Sequence, residues 1–352
     1  MIHKRIQWLD FAKGFTIFCV LIGHSLDVAN LNKFFGMDII WTFIMPVFFA
    51  ISGYLFKGFK SFSLIIYKKI TSFVIPFILS LLLISLFHKF SLGWGGVNGK
   101  SFIKVFILYS TGNVKYLTYA WFLYSLFLIF VIVSILYLCN VKLNIQFSLS
   151  ILCFISCLLL AHLKIISGGC GLKNTLTFMP CFYLGIYMRF ILNKYGRTKI
   201  LRNKNLSIIL MLLWIVSVLL IENIKNYQFN MMNISDSLIK LISIPIFFLF
   251  FINFYKCIFP KYFIKYGKYT LVIYLIQVPV LIVLKIFMYS IFKSQIILFI
   301  LLLIISWNVS LLVCYLSNHF KIVNFVFYPR KYINKLVIKT KWGRKLLKQS
   351  YL

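Results

Sequence analysis

The chain has 352 residues, 62% of them hydrophobic and 19% aromatic, and its 38 lysines and arginines face only five acids, for a formal charge of +33. Apolar runs recur along its whole length, more than one soluble core can hide, so composition excludes a soluble globular enzyme and indicates a polytopic membrane protein. On a soluble chain such a charge would suggest nucleic acid. Here the basic residues sit mainly between apolar runs, where they set orientation and meet anionic headgroups, so membrane lipids and no nucleic acid are the expected partners.

The first stretch, Arg5 to Asp27, is apolar enough to enter a bilayer yet carries Asp10, Lys13, His24 and Asp27. At 100° per residue these four fall within about 100° of one helix face, and Lys13 and His24 are separated by roughly 16 Å of rise at nearly one azimuth. Such a stripe is costly in a membrane unless it faces other helices or a water-filled cavity. Two readings follow: a polar path with a histidine at one end, or side chains snorkelling from the two helix ends. The run is broken by Asp10 and Lys13 and no A-x-A-like site follows, so it is not expected to be a cleaved signal peptide.

Nine further spans follow, giving an all-α integral-membrane bundle of about ten transmembrane helices near 11–29, 39–56, 70–87, 117–138, 146–166, 175–191, 206–221, 238–255, 271–289 and 295–316. Residues 1–320 form the transmembrane domain. Residues 321–352 are expected to be a basic cytoplasmic tail, in which Ile333, Leu336, Val337 and Leu347 share one face of an interfacial amphipathic helix. The terminal segments and the loops on their side hold 26 lysines and arginines, against nine in the opposite loops. By the positive-inside rule both termini are cytoplasmic, with Lys13 near the inner end of the first helix and His24 near the outer.

The segment 88–116 contains LGWGGVNGKS and is long enough to fold over a site or to be a plain connector. His88 and His162 fall near outer helix ends, where interfacial histidines are common. Pro46, Pro76, Pro180, Pro245 and Pro279 lie within or beside apolar runs and mark kinks or cavities at most. The eight cysteines lie mostly in apolar runs, without C-x-x-C or H-x-x-x-H spacing, so no structural disulfide and no metal site are expected.

In series, several segments resemble the acyltransferase 3 family of bacterial integral-membrane O-acyltransferases, especially its sugar O-acetylase-like branch. They are Arg5, Leu9-Asp10, Lys13-Gly14 and Gly23-His24; Pro46 to Tyr54, PVFFAISGY; the basic run before SFVIPF at Pro76; Trp121-Phe122-Leu123; Phe182-Tyr183-Leu184-Gly185; and Lys265 to Thr270, through Tyr274. Two positions depart from the pattern: Lys13 stands where the family usually has arginine, losing the bidentate fork, and Gln277 where it often has histidine.

The resemblance implies transfer of an acyl group, usually acetyl, from cytoplasmic acyl-CoA to a hydroxyl of a cell-surface or lipid-linked carbohydrate. Acetyl-CoA would be a co-substrate and no cofactor would be permanently bound. His24 would act as general base, or as a transient acyl-imidazole, with Asp27 beside it. Arg5, Asp10, Lys13 and Ser52 would serve the donor, the cations meeting its phosphates. Phe48, Phe49, Ser52 and Gly53 are also expected to let the second helix approach the first closely. The rival readings are a transporter or flippase using the same stripe as its path, and a membrane scaffold or sensor without chemistry.

Overall fold

The computed structural model describes residues 5–31, 36–58, 61–79, 82, 121–162, 172–196, 198, 200–225 and 234–340. His88 and most of the 88–116 segment lie outside them, as do residues 341–352 of the tail and the side chain of His162. The described elements are helical throughout, and ten are long and apolar enough to cross a membrane.

These are α1 (Gln7–Val28), α2 (Met37–Tyr54), α3 (Phe62–Leu79), α4 (Trp121–Leu138), α5 (Leu143–His162), α6 (Leu172–Tyr195), α7 (Lys204–Lys225), α8 (Ile234–Phe254), a composite span Ile258–Met288 and a helix Gln295–His319. The composite span is a short α9 (Ile258–Tyr266), one 3-10 turn (Gly267–Tyr269) and α10 (Thr270–Met288); Gln295–His319 is α11. Short α12 (Lys321–Phe327) and α13 (Pro329–Val337) follow.

Two expectations are corrected here. The third span begins at Phe62, eight residues before the predicted 70. Lys68 and Lys69 are therefore inside the helix, and the Lys69 ammonium lies 3.1 Å from the centroid of the Phe130 ring. A cation held on an aromatic face is tolerated where hydropathy alone would exclude it. The basic segment 256–268, read as a loop, is largely α9: its lysines mask an apolar side on which Pro260 and Phe263 are buried.

The chain divides into two compact units, Met1–Phe56 with Pro180–Cys314, and Lys57–Met179 with Tyr315–Leu352. In the first, α1 and α2 form the centre and pack against α8, α9 and α10. A Cβ built on Gly14 would overlap the carbonyl of Phe263, and one on Gly267 the carbonyl of Asp10, so two glycines set α1 backbone-to-backbone against α9 and the turn after it. Gly53 likewise meets the carbonyl of Phe182, and Gly185 that of Ala50. Of the residues expected to bring α2 onto α1, Gly53 instead meets α6, while α1 and α2 still pack together. Reciprocal glycines are what such a close crossing needs, because dispersion between backbones replaces the hydrophobic drive that lipid cannot supply. Aromatic rings fill the rest: Phe43 and Phe247 stack at 4.0 Å and 8°, with Trp214 and Phe251 beside Phe247. On α7, Ile209, Leu212, Leu213, Val216 and Leu220 are outward-facing, as a lipid-contacting helix requires.

In the second unit, α3 passes through a π-helical segment at Ile70–Val74, directly after Lys68 and Lys69 and before Pro76. Proline removes an N–H from the ladder, and a widened turn takes up the mismatch. Thr71 Oγ1 donates to Tyr67 O at 2.7 Å, and Tyr67 donates its hydroxyl to Asn334 on α13 at 2.6 Å. Trp121, opening α4, sits 5.4 Å from Phe178.

Candidate active site

The site is built on α1. At its first turn the Arg5 guanidinium grips the Asp10 carboxylate in bidentate fashion, Nε to Oδ2 and Nη2 to Oδ1, both at 2.9 Å. Asp10 is buried and Arg5 exposed. The pair closes the helix start and places Asp10 where the first-turn amides favour an anion. It also occupies both oxygens of Asp10. Lys13 stands one turn on, half-buried, with Asp10 and Arg5 as the charges acting on it and no hydrogen bond or ion pair to another described residue.

At the far end of α1, the half-buried His24 ring meets the Trp41 ring edge-on at 5.3 Å between centroids. A Cβ on Gly23 would come within 2.9 Å of that indole, so the missing side chain at 23 lets Trp41 lie beside the histidine. Neither His24 nitrogen is hydrogen-bonded to a described residue, and the same holds for the half-buried Asp27 carboxylate. His24 therefore offers a lone pair, and Asp27, one turn away, a charge. Ser52 donates its hydroxyl to Phe48 O of its own helix at 2.9 Å, which leaves it only acceptor capacity.

The structure thus brings Arg5, Asp10 and Lys13 together at one end of α1, and His24 and Asp27 together at the other. Ile17 and Val20, between the two groups on the same side, are buried at 1% and 0% exposure. The polar stripe is two stations about 16 Å apart rather than a continuous wet line.

Sequence reasoning missed Trp41, which no motif marks. It also missed a buried charge group in the same unit: Asp38 on α2, with Asp236 and Lys240 on α8, all 6% exposed or less, and Glu222 on α7. Asp236 and Asp38 both act on Lys240, and Asp38 on Glu222. The Asp236–Lys240 spacing of four inside an apolar run was the available signal, since ionisable groups at that depth are rare without a partner.

Gln277 on α10 is fully buried, and both atoms of its carboxamide lack a hydrogen-bond partner among the described residues. A buried amide left unpaired costs about 1–3 kcal/mol. Gln277→Met, similar in volume and without polar demand, is therefore expected to raise stability by about that amount, read as a higher Tm in detergent. An unchanged or lower Tm would mean that the amide is already satisfied.

Ten apolar spans, the first of them carrying two polar stations, define a multi-pass α-helical membrane protein. A family model for the acyltransferase domain matches residues 6–328. The chain belongs to that family, acyltransferase 3, and is a membrane acyltransferase. No curated protein and no solved structure matches it.

Proposed function

We propose that the protein is an O-acyltransferase that carries an acetyl group from cytoplasmic acetyl-CoA to a hydroxyl of a cell-surface or lipid-linked carbohydrate. The observation that carries this reading is the His24 ring, half-open, with neither nitrogen engaged by a described residue, at the opposite end of α1 from Lys13. A sugar hydroxyl is a poor nucleophile until its proton is accepted, and imidazole is the side chain suited to that near neutral pH. Lys13 supplies a cation without a counter-ion bond to any described residue, as a phosphorylated donor requires. With the stations about 16 Å apart, this reading requires the donor's extended arm, and not its nucleotide, to reach His24.

The decisive experiment is acetyl-CoA consumption by the purified protein in proteoliposomes with a glycan acceptor. Thioester loss and O-acetylated glycan are expected together, with Lys13→Ala raising the donor concentration needed and Lys13→Arg retaining activity. Solute movement across the vesicle without thioester loss would transfer the protein to the class of transporters.

The same reading sets the orientation. With 26 basic residues against nine, the start of α1 and the ends of α2, α6 and α8 face the cytoplasm of a bacterium. A cysteine introduced by Thr198→Cys, at an exposed position between α6 and α7, is expected to resist impermeant maleimide in intact cells and to react after lysis. Labelling from outside would reverse the donor and acceptor sides.

A further inference from the structure

A cavity of about 290 Å³ lies within the first unit, where the start of α1, the end of α2, the end of α6, the start of α7 and the end of α8 converge. Its wall includes Trp8, Tyr54 and Tyr255 together with Arg202, Lys204 and Lys256. Arg202 is held in place by one bond, Nε to Gly196 O at 2.9 Å, and its terminal nitrogens have no partner among the described residues. Among the described residues, no acid lines the cavity. Asp10 is taken by Arg5, and the other four acids of the chain, Asp27, Asp38, Glu222 and Asp236, sit at the opposite ends of α1, α2, α7 and α8. Three exposed cations thus line one concavity without a compensating charge among the described residues, which favours an anion there.

The rest of the wall narrows the anion. Asn253, also in the lining, donates its amide nitrogen to Leu201 O at 3.1 Å and to Ser207 Oγ at 2.6 Å. The group it can still offer is Oδ1, an acceptor, which a phosphate cannot use and the exocyclic amine of a base can. Three aromatic rings beside three cations and one free acceptor suit a flat base bearing phosphate. The cavity volume matches the low end of small-molecule sites, about 300–1,000 Å³.

We infer that this cavity binds a nucleoside phosphate. Trp8 lies about 140° round α1 from Lys13, so the cavity opens on a different face from the polar stripe. The shared chemistry has two sources. One is the nucleotide end of the donor, whose arm would then pass round the start of α1 by Arg5; this source rests on the function proposed above. The other is a free nucleotide that binds independently of the donor.

The test uses the full chain in phosphatidylcholine nanodiscs and adenosine 3′,5′-bisphosphate as probe, followed by calorimetry. The bisphosphate is expected to bind at least tenfold more tightly than inorganic phosphate. Arg202→Gln with Lys204→Gln is expected to weaken it at least tenfold. Should that pair fail to fold, Lys256→Gln and the wild-type preference for bisphosphate over phosphate decide the matter. Displacement by CoA but not by pantetheine assigns the donor's own end, and simultaneous binding of CoA and bisphosphate assigns a free nucleotide. Absence of bisphosphate binding, indifference to these substitutions, or loss of binding when phosphatidylglycerol replaces phosphatidylcholine overturns the inference, the last by making a lipid headgroup the occupant. Acetyl transfer without bisphosphate binding would sink this inference alone, and binding without transfer would sink only the proposed function.

Discussion

Gly53→Val is expected to remove most of the folded protein from the membrane, and Gly185→Val to do the same. A Cβ at either position falls on a backbone carbonyl, Phe182 in one case and Ala50 in the other, and a backbone cannot rotate out of the way as a side chain can. Inserting bulk into a packed core costs about 1–3 kcal/mol, occasionally more. Here α2 and α6 must separate along their whole crossing, so the cost is expected at or above the top of that range. Even Gly53→Ala should lower the melting temperature measured in detergent by fluorescence-detected size exclusion. The adjoining Ser52→Ala is the control. Its hydroxyl is bonded only to its own helix at Phe48, so its loss should shift stability by no more than about 0.5 kcal/mol. A raised donor requirement in that otherwise stable variant would place Ser52 in donor binding. An unchanged Tm for Gly53→Ala would show that α2 and α6 do not cross this closely.

The spans were legible because lipid demands long apolar runs whatever the tertiary arrangement. Errors arose where a charge found a local partner. Lys69 on Phe130 shifted the start of α3, and the lysines of α9 hid a helix that buries Phe263. The residue series around FFAISG and FYLG was visible, but which helices the glycines join was not. A glycine announces a close approach without naming the partner, and only the fold pairs Gly53 with Phe182 and Gly185 with Ala50. On α1, periodicity alone places Asp10, Lys13, His24 and Asp27 on one face. Trp41 could not be read this way, because its relation to His24 depends on the angle at which α2 crosses α1. The charge group of Asp38, Asp236 and Lys240 is drawn from two helices far apart in sequence, and only its i,i+4 half was available in one window.

His24→Gln is expected to lower acyl transfer by roughly 100- to 10,000-fold, the range that proton transfer by a positioned base contributes. Glutamine keeps much of the volume beside Trp41 and can still hydrogen-bond, but it neither titrates nor accepts an acyl group. The packing of Gly23 under the indole is untouched, so Tm should stay close to that of the parent. Lys13 is about 16 Å away along α1, so on the function proposed above the concentration of acetyl-CoA giving half-maximal binding should be unchanged. That combination separates chemistry from structure: a positional role for His24 in holding Trp41 would move Tm, and a donor-binding role would move affinity. Asp27→Asn provides the companion measurement, since it removes the charge one turn away while leaving the imidazole. A fall in turnover smaller than that of His24→Gln, again with stable protein, would fit an orienting charge. Near-native turnover in His24→Gln would end both the general-base and the acyl-imidazole mechanisms, leaving the acyltransferase without a nucleophile-activating group on α1.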